Sequence, residues 1–130
     1  QAWGIYGSAL SYHFLKDPAY IDIFRKVTDY FVTHLPSDLI PYWDFDFDDG
    51  STEPRDSSSA AIAACGMLEM AKYLEPEEAE KYTALAEKLI KALCDHCAVK
   101  DHSESNGLLH GTYARASKGN PCTNRMGGGG

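Results

Sequence analysis

Apolar positions along this chain fall into two kinds of helical register, and the two kinds alternate. Residues 2–14 are apolar or small on nearly every side, with Gly4, Gly7, Ser8 and Ser11 giving a face that a neighbour can approach closely. Residues 18–35 instead carry one stripe, Tyr20, Ile23, Phe24, Val27, Tyr30 and Phe31, opposite Asp22, Arg25, Lys26 and Asp29. Residues 58–74 return to the first kind, running Ala60, Ala61, Ile62, Ala63, Ala64, Cys65, Gly66, Met67 and Leu68. Residues 76–97 repeat the second, with Tyr82, Leu85, Ala86, Leu89 and Leu93 against Glu77, Glu78, Lys81, Glu87, Lys88 and Lys91. Punctuation agrees with these limits. Asp17 suits an N-cap and Pro18 the first helical position, Pro36 stops the second helix, and a serine cluster suits the start of the third.

A helix apolar on every side has to be surrounded by protein, and a one-stripe helix can cover it from outside. The order buried, amphipathic, buried, amphipathic therefore predicts an all-α chain forming part of two concentric helical rings. This is a partial α/α toroid, of which the chain supplies about two hairpins. A flat helical-repeat array is the rival architecture, but there every helix would keep a solvent face. The opening in mid-helix pattern and the closing Gly127-Gly128-Gly129-Gly130 suggest a piece of a longer protein.

The net charge of −7 opposes nucleic acid and anionic membrane surfaces, and no apolar run approaches the ~20 residues needed to span a bilayer. Cys65, Cys94, Cys97 and Cys122 form no disulfide framework, and Cys65 among alanines reads as a small buried hydrophobe. This usage favours a reducing compartment, hence the cytoplasm, with a periplasmic or secreted parent left open.

The two long connections are the candidate chemistry. Residues 36–57 exceed the ~12–15 residues beyond which a loop in a compact domain usually has a function. In them Tyr42-Trp43-Asp44-Phe45-Asp46 alternates aromatic rings with carboxylates, the materials of a carbohydrate site. A second polar, glycine-bearing loop covers residues 101–119 and includes His110. Bland readings stand beside these. Trp3 could fill a core, Asp44 could cap or accept backbone N–H groups, Asp56 could cap the third helix, and Arg55 could pair with a rim carboxylate. No metal is expected. Counted from Asp44 as a calcium loop, glycine falls seventh and Arg55 twelfth, so the register fails, and Cys94-Asp95-His96-Cys97 is a single cluster on a helix end.

Four blocks carry a resemblance: residues 1–10 (Gln-Ala-Trp-Gly-Ile-Tyr-Gly-Ser-Ala-Leu), residues 41–46, residues 54–58 (Pro-Arg-Asp-Ser-Ser) and residues 108–113 (Leu-Leu-His-Gly-Thr-Tyr). In this order and spacing they are similar to the unsaturated glucuronyl hydrolases, glycoside hydrolase family 88. The resemblance implies that residues 1–120 are the C-terminal part of a six-hairpin toroid domain, and that residues 121–130 are a divergent, disordered tail. It implies hydration of the C4–C5 double bond of the unsaturated uronic acid that lyases leave on the non-reducing end of oligosaccharides. It also implies that no cofactor is used. By the same resemblance the catalytic aspartate lies upstream of Gln1, leaving no catalytic residue in the chain. Trp3 would stack on the sugar, Ser117 would meet it beyond the scissile bond, and Trp43, Asp44 and His110 are further candidate contacts. Two alternatives remain: a non-catalytic helical-repeat binding module, and an unsaturated rhamnogalacturonyl hydrolase.

Overall fold

The computed structural model describes residues 1–101, 103 and 107–110. Among these are four helices, α1 (Ala2–Leu15), α2 (Ala19–Thr33), α3 (Ser57–Ala71) and α4 (Pro76–His96), with two isolated antiparallel bridges and no longer strand. Ser117 and the whole of residues 121–130 lie outside the described residues.

Local chemistry sets the helix limits. Lys16 closes α1 in the left-handed region (φ 55°), and its N–H donates to the Tyr12 carbonyl at 2.9 Å. Asp17 accepts the Ala19 N–H at 2.9 Å across Pro18, so it caps α2 as the sequence suggests. Asp56, rather than a serine, caps α3 by accepting the Ser58 N–H at 3.1 Å. Pro76 opens α4 with Glu77 and Glu78 in the first turn and His96 in the last, each favourable to the helix dipole.

The helices form two hairpins side by side. α1 packs on α2, α3 packs on α4, and α1 and α3 pack on each other. These two inner helices run parallel. Gly66 of α3 meets Ile5 and Tyr6 of α1, and further along Tyr73 meets Tyr12 with ring centroids 5.2 Å apart. The outer pair is joined by Phe24 against Tyr82 (4.9 Å between centroids) and by Arg25, which grips Glu78 with two hydrogen bonds of 2.7 and 2.8 Å. The core lies between the layers, built from Ile5, Ala9, Phe24, Phe31, Met67, Met70, Tyr82 and Leu89.

Small residues let the inner helices approach. A Cβ on Gly66 would lie 2.8 Å from Ile5 Cγ2 and from the Tyr6 backbone, and one on Gly4 would lie 3.1 Å from Val27. Gly7 plays no such part among the described residues, where a Cβ would meet nothing within 4 Å. The enclosure of the inner helices is also incomplete. They are buried toward each other and toward α2 and α4, but Phe14 and Leu68 stand open on their remaining sides, and Cys65 is exposed rather than buried. The expectation for Cys65 fails because, among the described residues, no helix lies against that side of α3.

Parallel inner helices put both of their N-termini at one end. The antiparallel outer helices bring their C-termini to the same end, so the 36–56 connection and the start of the chain after α4 lie there and the short turns lie opposite.

Candidate functional site

The 36–56 connection is a built structure. Arg55 lies under it, donating to both carboxylate oxygens of Asp38 at 2.9 Å and to the Ile40 carbonyl, with its guanidinium carbon 4.0 Å from the Tyr42 ring centroid. Next to this clamp the two ends of the loop pair. The Trp43 N–H donates to Pro54 at 3.0 Å, and the Asp56 N–H donates to Pro41 at 2.8 Å. Burial pushes the Asp38 carboxyl up, but hydrogen bonds from Arg55 and the Ile40 N–H, with the Arg55 charge, outweigh it and hold the group below its ordinary range.

Most carboxylates of the loop shape it. Asp44 accepts the Asp46 N–H at 3.0 Å, closing a turn. Asp49 takes both the N–H and the hydroxyl of Ser37. Glu53 accepts the Trp43 indole N–H at 2.9 Å and so fixes that ring. Phe45 turns inward, with its ring centroid 5.6 Å from that of Phe31. The alternation of aromatics and acids thus separates rings that anchor or line the loop from acids that close its turns.

A cleft of about 150 Å³ opens at this end of the molecule. α1 supplies Gln1, Ala2 and Trp3, the loop supplies Tyr42, Trp43 and Phe45, and the start of α3 supplies Asp56, Ser58, Ser59 and Ile62. Trp3 is 70% exposed, so an indole face is open to a ligand, and Trp43 is 41% exposed beside it. The wall therefore offers two aromatic surfaces beside Ser58 and Ser59, whose hydroxyls donate to the Asp56 carboxylate at 2.6 Å and to the Asp56 carbonyl at 2.8 Å and keep lone pairs to accept with. That combination suits a polyhydroxylated ring, whose C–H face stacks and whose hydroxyls hydrogen-bond.

The structure brings Trp3 and Trp43 together in this cleft, and does not bring Asp44 or His110 into its lining. Asp44 is half-buried in its turn. His110 lies in the second connection, where its backbone N–H donates to the Cys97 carbonyl at 2.7 Å, beside the Ala98–Leu109 bridge. The lining role of Asp56, Ser58 and Ser59 was not read from the sequence, which gave them only to capping. The available signal was their place at the start of an inner helix, where a cap also faces the cleft. Asp56→Ala is expected to cost about 1 kcal/mol in thermal or denaturant unfolding, and Asp56→Ser to recover most of it. Among the described residues no group of three or more His, Cys, Asp or Glu side chains could hold a metal ion. Cys97 is buried, which with the Asp38 charge pushes its thiol up, while Cys94 is exposed.

The fold and cleft define two adjacent hairpins of an α/α toroid with an aromatic, hydroxyl-bearing wall. Known proteins share this fold. The chain is 46% identical over 117 residues to the unsaturated chondroitin disaccharide hydrolase of Streptococcus pyogenes serotype M1, covering 88% of this chain and 29% of that protein. A crystal structure of the Streptococcus agalactiae unsaturated glucuronyl hydrolase, in a variant complexed with dGlcA-GalNAc6S, superposes with a TM-score of 0.80 at 40% identity, covering 87% of this chain and 31% of that one. The Bacillus sp. GL1 unsaturated glucuronyl hydrolase gives a TM-score of 0.80 at 34% identity over 85% of this chain and 30% of its own. No protein-family model matches. The chain is thus a relative of the unsaturated glucuronyl hydrolases, spanning about 30% of their length.

Proposed function

We propose that this chain forms one wall of the sugar site in an unsaturated glucuronyl hydrolase. The substrate class is the oligosaccharide ending in an unsaturated uronic acid, and Trp3 is its stacking platform. The open indole of Trp3 at the cleft carries this reading, with Trp43 fixed by Glu53 and Ser58, Ser59 and Asp56 in the same lining as polar groups. The relatives' names favour this substrate class over unsaturated rhamnogalacturonyl ends.

In this reading water adds across the C4–C5 double bond, with the proton going to C4 and the hydroxyl to C5. The hemiketal so formed at C5 opens and releases the adjacent sugar. The general acid and base for that addition lies on a part of the toroid other than these two hairpins. The part played by this chain is to hold the ring against an apolar face and fix its hydroxyls while the addition occurs. Ser117 and His110 are further contacts of the second connection in the same reading, and Asp44 supports the rim.

Cys65 and Cys94 are exposed free cysteines, which favours a reducing compartment. No helix among the described residues is long and apolar enough to cross a membrane.

The experiment follows the ultraviolet absorbance of the double bond in an unsaturated chondroitin disaccharide. The chain alone is expected to leave it unchanged. The Streptococcus pyogenes hydrolase with its matched stretch replaced by this chain is expected to consume it. In that protein Trp3→Ala is expected to raise KM roughly fivefold, about 1 kcal/mol of lost stacking. Turnover by the isolated chain would overturn the placement of the acid–base group, and an unchanged KM would overturn the role of Trp3.

A further inference from the structure

Trp43 lines the cleft and is 41% exposed, so burial alone does not fix where its ring lies. A half-open side chain that turns freely before binding loses that freedom when a ligand stacks on it, at a cost in affinity. Here the ring is held in advance. The indole N–H, the only donor of the side chain, reaches the Glu53 carboxylate at 2.9 Å in a charge-assisted hydrogen bond. The Phe47 ring stands beside it, with centroids 5.7 Å apart and planes tilted by 46°.

Glu53 is itself placed by the tip of the loop. Residues 48–51 form a turn in which the Ser51 N–H donates to the Asp48 carbonyl at 3.0 Å. Gly50 takes φ 94° in that turn, a conformation that any other side chain would strain. Asp49 ties the turn to the start of the loop by accepting the Ser37 hydroxyl at 2.9 Å. Ser51 then holds both sides: its carbonyl accepts the Tyr42 hydroxyl at 3.2 Å, and its hydroxyl oxygen accepts the Glu53 N–H at 3.1 Å. A run of hydrogen bonds thus leads from Ser37 through the turn to Glu53 and ends on the Trp43 ring. With the indole N–H engaged there, Trp43 meets a ligand through its ring surface, and polar contacts fall to Ser58, Ser59 and Asp56.

We propose that Glu53 is a positioning residue of the sugar site, which acts through Trp43 by setting the plane of its ring for stacking. The acidic tip of the loop is the prop that holds Glu53 in place. This rests on the reading of the cleft as the sugar site of a glucuronyl hydrolase. It adds to that reading the device that pre-sets one of the two aromatic surfaces.

The test uses the Streptococcus pyogenes hydrolase in which this chain replaces the matched stretch. Glu53→Ala is expected to raise KM for the unsaturated chondroitin disaccharide roughly three- to tenfold with kcat unchanged, because a pre-set platform serves ground state and transition state alike. Glu53→Gln keeps an oxygen that accepts the indole N–H, and its KM is expected to stay within about twofold of the parent. Trp43→Phe keeps a ring but loses the donor, so adding Glu53→Ala to it is expected to raise KM no further. A general loosening of the loop would act in both backgrounds, so this loss of effect separates positioning from stability.

A second readout needs no turnover and is taken on the chain itself. It has two tryptophans, so 15N labelling gives two indole N–H signals, and Trp3→Phe assigns the one from Trp43. The order parameter of that N–H is expected near about 0.85 in the parent and in Glu53→Gln, and below about 0.6 in Glu53→Ala. A Trp43 indole that stays rigid in Glu53→Ala would overturn the proposal. So would a rise in KM from Glu53→Ala that persists undiminished beside Trp43→Phe. Trp3→Ala in the same chimaera reports on the sugar-site reading separately. If it raises KM and Glu53→Ala does not, the role of Glu53 fails and the reading stands; if neither raises KM, both fail.

Discussion

Gly66→Ala is expected to destabilise the chain by about 2 kcal/mol, the opposite sign from what helix propensity predicts. Propensity alone favours alanine by ~1 kcal/mol in a helix interior. The new methyl would sit 2.8 Å from Tyr6 Cα, Tyr6 N and Ile5 Cγ2. Two of these atoms are backbone, so relief requires α1 and α3 to move apart along their whole contact. Separation would loosen Ala60, Ala63, Met67 and Met70 from the buried core, where packing is as dense as in a crystal. Thermal melts followed by far-ultraviolet circular dichroism should show a fall of roughly 10 °C. A melting temperature equal to or above the parent would mean that the inner helices are not held in this close approach. Gly7→Ala is the internal control, since the same chemical change there meets nothing within 4 Å among the described residues.

Breaking the Asp38–Arg55 clamp is expected to have a comparable effect, concentrated on the rim. Both side chains are largely shielded, at 17% and 29% exposure for Arg55 and Asp38. Arg55→Ala leaves the Asp38 carboxylate without its bidentate partner and also removes the cation from the Tyr42 ring, at an expected cost of about 2–3 kcal/mol. Arg55→Lys should recover little of it, because an ammonium cannot make the paired hydrogen bonds and stack at once. The pH dependence follows from the lowered Asp38 carboxyl. Its folded value lies below the unfolded one, so the stabilisation is complete above about pH 4, the ordinary aspartate value, and is lost as pH falls through the folded value. Asp38→Asn should therefore flatten the acid limb of a stability-against-pH curve below about pH 4. An acid limb as steep as in the parent would assign that limb to the other carboxylates held low by cations, such as Glu78 beside Arg25.

The rim clamp also shows where sequence reasoning reached its limit. The Arg55-Asp56 pair was legible as cap plus ion pair, and the structure has both, but the partner of Arg55 lies seventeen residues upstream at Asp38. The tryptophan–aspartate loop stood out as a candidate site because aromatics and acids alternate in it. The structure divides that pattern, giving Trp43 to the cleft and Asp44 to a turn. Local hydrogen bonding decides between these roles, and residue type alone does not encode it.

The sequence by itself determined the four helices, their approximate limits and their sorting into inner and outer. Those properties follow from the spacing of apolar residues and from proline and capping chemistry, all of which act within a few residues. It also determined the kinship, through short blocks around Trp3, Trp43 and Asp56. Only the tertiary structure decided that α1 and α3 run parallel, with their starts at one end. That arrangement brings Trp3 within one cleft of Trp43 and Ser58, which follow it by 40 and 55 positions. It also decided which glycine is a crossing point and which faces outward. Gly66 and Gly7 read alike in sequence. They differ because one has a helix against it and the other has a face that these two hairpins do not fill.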